Sequence, residues 1–125
     1  MNFSINKSDH YTLVKTDLTE IDGTQAENLV TELEAHIDEF ICKYIILNFD
    51  NVTHCNADAV RALIKLGLFL KERDGMLIIS NPLDSFERLF EKAEIVFVPT
   101  DIEAIDYVFM DQIEKQFLND SEEDA

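Results

Sequence analysis

The most constraining stretch of the chain runs from Tyr44 to Gly75, where the period of the apolar residues changes once. Tyr44-Ile45-Ile46-Leu47-Asn48-Phe49 is a nearly unbroken apolar run, rich in β-branched and aromatic residues. A run of that kind suits a central strand buried on both faces. Asp50-Asn51 then ends it with turn-favouring residues. From Asp58 onward the spacing becomes helical. Val60, Leu63, Ile64, Gly67 and Leu70 fall on one face, while Arg61, Lys65, Lys71, Glu72 and Arg73 fall largely on the other. Gly75 is placed to end this helix in a left-handed conformation. Between strand and helix lies a short polar crossing, Thr53-His54-Cys55-Asn56-Ala57-Asp58-Ala59. It sits at the carboxyl end of a strand and beside a helix N-terminus, the place where ligands and partners dock in open α/β sheets.

The rest of the chain repeats the alternation. Phe3 to Lys7 and Tyr11 to Lys15 read as two short strands about Ser8-Asp9-His10. Thr16 to Gly23 reads as a loop, with Thr24 and Glu27 forming a capping box for the next helix. Ala26, Leu29, Val30, Leu33, Ile37, Phe40 and Ile41 form that helix's apolar stripe. Met76 to Ile79 is a short buried strand, and Asn81-Pro82 has the form of a capped helix start. Leu83, Phe86, Leu89 and Phe90 supply the core face of that helix. Ile95 to Val98 is the last strand. Thr100 with Glu103 caps a final helix striped by Ile102, Ile105, Val108, Phe109 and Ile113. The order β-β-α-β-α-β-α-β-α predicts an α/β fold with a mixed, mostly parallel sheet and about four helices packed against it. The first strand is expected at an antiparallel edge. Residues 1–117 are expected to form one domain and residues 118–125 an acidic, unstructured tail.

Composition narrows the function classes. Of 125 residues, 46% are hydrophobic, enough for a single core. No apolar run approaches the roughly 20 residues of a membrane helix, and Met1 to Lys7 lacks a signal peptide's apolar core. A cytoplasmic location without direct membrane insertion is therefore expected. Cys42 and Cys55 have neither CxxC nor Cys/His zinc spacing and read as free thiols. No metal or cofactor is expected; the three glycines form no phosphate cradle.

The net charge is −16 and is unevenly spread. Thr16 to Ile41 holds eight carboxylates and no Lys or Arg, and Thr100 to Ala125 holds nine against Lys115 alone. Such a field opposes nucleic acid and anionic lipid. It keeps a small domain soluble, and it would also steer a basic protein partner.

Three chemistries bear on the crossing and its lead-in. Asp50 ends a central strand as a response-regulator phosphoacceptor does, but the acidic pair and the Lys that such a magnesium site needs have no counterpart here. His54 and Cys55 are sequence neighbours, which rarely face each other as base and nucleophile. Thr53 carries a hydroxyl that suits a turn as well as modification.

The element order and particular residues resemble the STAS domain, the fold of bacterial anti-sigma-factor antagonists. The resemblance covers roughly Phe3 to Gln116. Leu47-Asn48-Phe49-Asp50-Asn51-Val52-Thr53 resembles the family's strand and lead-in, and Asn56-Ala57-Asp58-Ala59 falls on its Asp-Ser-Ser-Gly loop. Thr100-Asp101-Ile102-Glu103-Ala104-Ile105 is similar to the Ser-x-x-Glu-Ala-Leu start of the family's last helix. The resemblance implies a non-enzymatic regulator that switches partners with an anti-sigma factor of histidine-kinase-like ATPase fold, with a homodimer also possible. It implies a partner surface of Thr53, His54, Asn56, Ala57, Asp58, Ala59 and Arg61. Antagonists of this kind are phosphorylated on the loop's second serine, and here that position is Asp58. Its single charge compares with about −1.5 to −2 for phosphoserine. Asp58 then imitates the phosphorylated state, makes a fixed contact to an Arg or Lys, or caps and charges the helix start. An accessory STAS subunit of an ABC-type transporter is the alternative, because it needs no phosphoacceptor.

Overall fold

The computed structural model describes residues 3–90 and 95–123. Among them a five-stranded sheet is ordered β1-β2-β4-β6-β7, where β1 is Phe3–Lys7, β2 Thr12–Thr16, β4 Tyr44–Asn48, β6 Met76–Ser80 and β7 Ile95–Val98. β1 runs antiparallel to β2 at one edge, and the other neighbours are parallel. The helices α1 (Gly23–Ala35), α2 (Ala57–Lys71), α3 (Asp84–Leu89) and α4 (Asp101–Glu123) complete the described fold. The expected α/β class and antiparallel edge are both present.

The apolar run at β4 is buried on both faces because the sheet has a core on each side. Ile45, Leu47, Leu77 and Ile79 pack with Leu29 and Leu33 of α1 and Leu63, Leu66 and Leu70 of α2. Ile46 and Ile78, the alternate residues, pack with Ala104 and Val108 of α4. Each such side chain contributes about 1.5–3 kcal/mol when fully buried, which makes β4 and β6 the centre. α3 joins the first core through Phe86, edge-on to Phe49 at 5.8 Å, and Phe90, tilted on Phe97 at 5.4 Å.

Several local expectations are corrected. The cap of α1 is Asp22: Gln25 N–H donates to Asp22 Oδ1 at 2.9 Å, and Asp22 N–H donates to Gln25 Oε1 at 3.1 Å. This reciprocal box lies two residues ahead of Thr24. α1 ends at Ala35, and a 3₁₀ turn at Ile37–Glu39 buries Ile37 and Phe40 but leaves Ile41 exposed. Asn81 does not cap α3. Its φ is 54°, and its amide turns to the start of α4, so the short α3 begins at Asp84 without a side-chain cap. Leu83 and Leu89 are accordingly exposed.

The end of α2 is decided by a residue other than the glycine. Asp74 takes the left-handed conformation, at φ 60°. Asp74 N–H donates to Lys71 O at 3.2 Å and Gly75 N–H to Leu70 O at 2.8 Å, the paired bonds of a Schellman motif. Gly75 is required by space instead, since a Cβ there would lie 1.9 Å from Lys43 O.

α4 runs to Glu123 and thus extends through most of the segment 118–125 expected to be an unstructured tail; residues 124–125 lie outside the described residues. Its apolar residues divide between two faces. Val108 and Ala104 are buried and Ile105 is half-buried, whereas Ile102, Phe109 and Ile113 of the expected core stripe are exposed.

Candidate functional site

The crossing from β4 to α2 is held at both ends. Asn48 Oδ1 accepts from Asp50 N–H at 2.7 Å, and Phe49 N–H donates to Ser80 O at 2.9 Å. The Asn48 amide also donates to Asp101 at 2.9 Å, and Ser80 Oγ donates to the same carboxylate at 2.5 Å. The first residue of α4 therefore ties together the carboxyl ends of β4 and β6. Val52 is buried, which fixes the lead-in against the core.

Beyond Val52 the chain pairs with the segment ahead of α1. Thr53 and His54 N–H groups donate to Thr19 O at 2.7 and 3.2 Å, and Thr53 Oγ1 donates to the same oxygen at 3.1 Å. β5 (His54–Cys55) then lies parallel to β3 (Glu20–Ile21), with Glu20 opposite His54 and Ile21 opposite Cys55. Asn56 N–H continues the pairing to Ile21 O at 3.3 Å. Both two-residue strands fall in stretches that read as loop in the sequence, because two residues carry no readable period.

Asn56 caps α2, its side chain accepting from Ala59 N–H at 2.9 Å. That settles one of the readings of Asp58: it is not the cap. Asp58 stands in the first turn, where the helix dipole favours a carboxylate by about 0.3–1 kcal/mol. Its carboxylate pairs with the Arg61 guanidinium one turn on, with both side chains about two-thirds exposed (66% and 67%). A pair this exposed stabilises the fold by at most about 1 kcal/mol, so both groups remain available to a partner. His54 is similarly exposed, 3.8 Å from Glu20 and 3.0 Å from Thr53 Oγ1.

Thr53, His54, Asn56, Ala57, Asp58 and Arg61 thus share one exposed surface. Ala59 is the exception. It is fully buried on the inward face of α2 and belongs to the core, not to a contact surface. Gly23 belongs to the site although nothing at the crossing points to it: a Cβ on Gly23 would lie 2.6 Å from Asp58 Cβ. Its lack of a side chain lets the N-terminus of α1 close on Asp58. Between the two helices runs a groove of about 620 Å³. Glu27 and Glu34 of α1 and Arg61 and Lys65 of α2 are among its lining residues, so acidic and basic walls face each other.

The surface is polar and charged, with the side chains of His54, Asp58 and Arg61 exposed on it. Burial pushes the Cys55 thiol up to about 11, the opposite of the activation that a nucleophile needs. Cys42 packs with the core on α4's side of the sheet and Cys55 with the other, so the two free thiols are kept apart. Among the described residues no group of three or more His, Cys, Asp or Glu is arranged to hold a metal ion. None of the described helices is long and apolar enough to cross a membrane.

Comparison with known proteins agrees with this architecture. The STAS domain family model matches residues 4–107. The unphosphorylated form of the anti-sigma factor antagonist SpoIIAA superposes with a TM-score of 0.69 at 20% identity, covering 85% of this chain and 96% of that one. A serine-to-glutamate variant of RsbS from Moorella thermoacetica gives 0.72 at 14% identity, over 86% and 95%. The murine Solute Carrier 26 family member A9 anion transporter gives 0.64 at 12% identity, over 84% of this chain but 18% of the transporter. No curated protein matches the chain in sequence. With the family model spanning most of the chain, and with the sheet, helices and crossing in their expected order, this protein belongs to the STAS domain family.

Proposed function

We propose that the chain is a non-enzymatic anti-sigma-factor antagonist of the cytoplasm, acting by partner switching with an anti-sigma factor of histidine-kinase-like ATPase fold. The observation that carries this reading is Asp58, exposed in the first turn of α2 on a surface that hydrogen bonds hold in place. The contact surface is Thr53, His54, Asn56, Ala57, Asp58 and Arg61. Arg61 pairs weakly with the carboxylate at 58, and it would pair more strongly with the larger charge of a phosphoserine. Asp58 then stands as a permanent, weaker version of the modified state. Likeness to solved anti-sigma-factor antagonist structures supports this reading at the level of fold.

The test is Asp58→Ser, used with wild type as bait in native lysate with ATP. Greater recovery of a kinase-like ATPase on the variant, together with phosphate on the introduced serine by mass spectrometry, is the expected result. Equal recovery and no phosphate, with that ATPase bound, would count against it. The second reading is an accessory STAS subunit steadying a transporter ATPase, favoured by the occurrence of this fold as part of an anion transporter. Recovery of transporter subunits by both baits would establish that reading instead.

A further inference from the structure

We propose that the outward face of α4 docks a basic amphipathic helix belonging to a partner protein. The face is apolar where a surface helix is normally polar. Ile102, Met110, Ile113 and Phe117 are 73%, 61%, 52% and 69% exposed, and Phe109 joins them at 39%. At about 100° per residue these five lie within roughly a 100° arc, opposite Ala104 and Val108 in the core. Single exposed apolar residues are ordinary; five on one arc over four turns, interrupted only by Asp106, form a patch of the kind that marks an interaction surface.

Charge chooses the occupant. Beside the stripe a groove of about 360 Å³ has Val98, Tyr107 and Met110 among its lining residues, with the carboxylates of Glu103, Asp106 and Glu114 around them. Lys115 is the one cation of α4, and it is committed to Asp111 at 3.4 Å and Asp74 O at 2.8 Å. Asp106 lies within the arc of the stripe, so covering this face without a cation opposite would leave a carboxylate poorly solvated. A second copy of this face brings the same carboxylates and, as its one cation, the Lys115 already paired with Asp111. A helix with an apolar stripe interrupted and flanked by Lys or Arg meets both requirements. Ile102 to Phe117 spans about 23 Å at 1.5 Å per residue, which calls for a partner helix of about 16 residues.

The probe is a fluorescein-labelled Leu/Lys peptide of about 18 residues with leucines at helical spacing, titrated with the full chain and followed by anisotropy. A scrambled Leu/Lys peptide and a Leu/Glu peptide are the controls. The amphipathic Leu/Lys peptide is expected to bind at least about tenfold tighter than either control, and M110E/I113E is expected to lose about tenfold. Both substituted positions are exposed, and circular dichroism of the variant checks that it folds. Equal binding of the scrambled peptide, no binding at about 0.1 mM, or indifference to M110E/I113E would overturn the proposal. So would a wild-type dimer in sedimentation that M110E/I113E converts to monomer, which would give the face to a second copy.

Discussion

Cys55 sits directly before the cap of α2, half-buried and packed against the core. Desolvation raises the thiol from its ordinary 9.0 to about 11. The folded chain therefore keeps its proton through a range in which the unfolded chain has lost it. That contribution to stability is whole below pH 9 and is lost as the pH rises from 9 to 11. Alkylation by iodoacetamide, read peptide by peptide in a mass spectrometer, is expected to be slower at Cys55 than in urea-unfolded protein at pH 8.5, with a midpoint near 11. A midpoint at or below 9 would contradict the burial. Asp58 illustrates what residue-level reading of the sequence can reach. Its place at the start of a helix was legible from the change of period. Its pairing with Arg61 and its contact with Gly23 were not, because the first is a choice of rotamer and the second joins two helices distant in sequence.

At the scale of elements, α4 is the least legible part. A helix that is apolar on two faces has no single phase, so a stripe drawn through Ile102, Val108 and Ile113 mixes inward with outward residues. What orients the helix is a set of contacts made elsewhere: Tyr44 donates to Asp111 at 2.5 Å, Gln112 donates to His10 O at 3.0 Å, and Asp101 takes up Asn48 and Ser80. None of these contacts lies near the C-terminal end of the helix, and Phe117 and Leu118 are exposed. Removal of residues 118–125 is expected to change unfolding free energy by less than about 0.5 kcal/mol, measured by urea denaturation. A loss above about 2 kcal/mol would place the last turns within the packed domain.

At the scale of the whole molecule, a charge of −16 on one small domain sets carboxylate against carboxylate. Some of these groups are neutralised within the fold. Glu39 is one, its pKa lowered by its hydrogen bond and ion pair with Lys7. Unscreened self-repulsion destabilises the compact state, and at about 0.15 M salt the screening length falls to about 8 Å. The melting temperature is therefore expected to rise when NaCl is raised from 10 mM to 0.5 M. A melting temperature that is flat or falling would mean that attractive pairs dominate the surface.

The amino-acid sequence by itself determined the five strands of the main sheet, the four helices and their order, because each rests on a local period that the residues carry with them. It also located the crossing, since a change from strand to helix spacing has to occur somewhere and only a polar stretch can host it. The tertiary structure alone decided which groups meet there. It paired β3 with β5, gave the cap to Asn56, set Gly23 beneath Asp58, took Ala59 into the core and turned most of α4's apolar residues outward. Each of these depends on the distance between parts remote in sequence, and that distance is set by how the two cores pack against the sheet, not by any property of the residues taken in order.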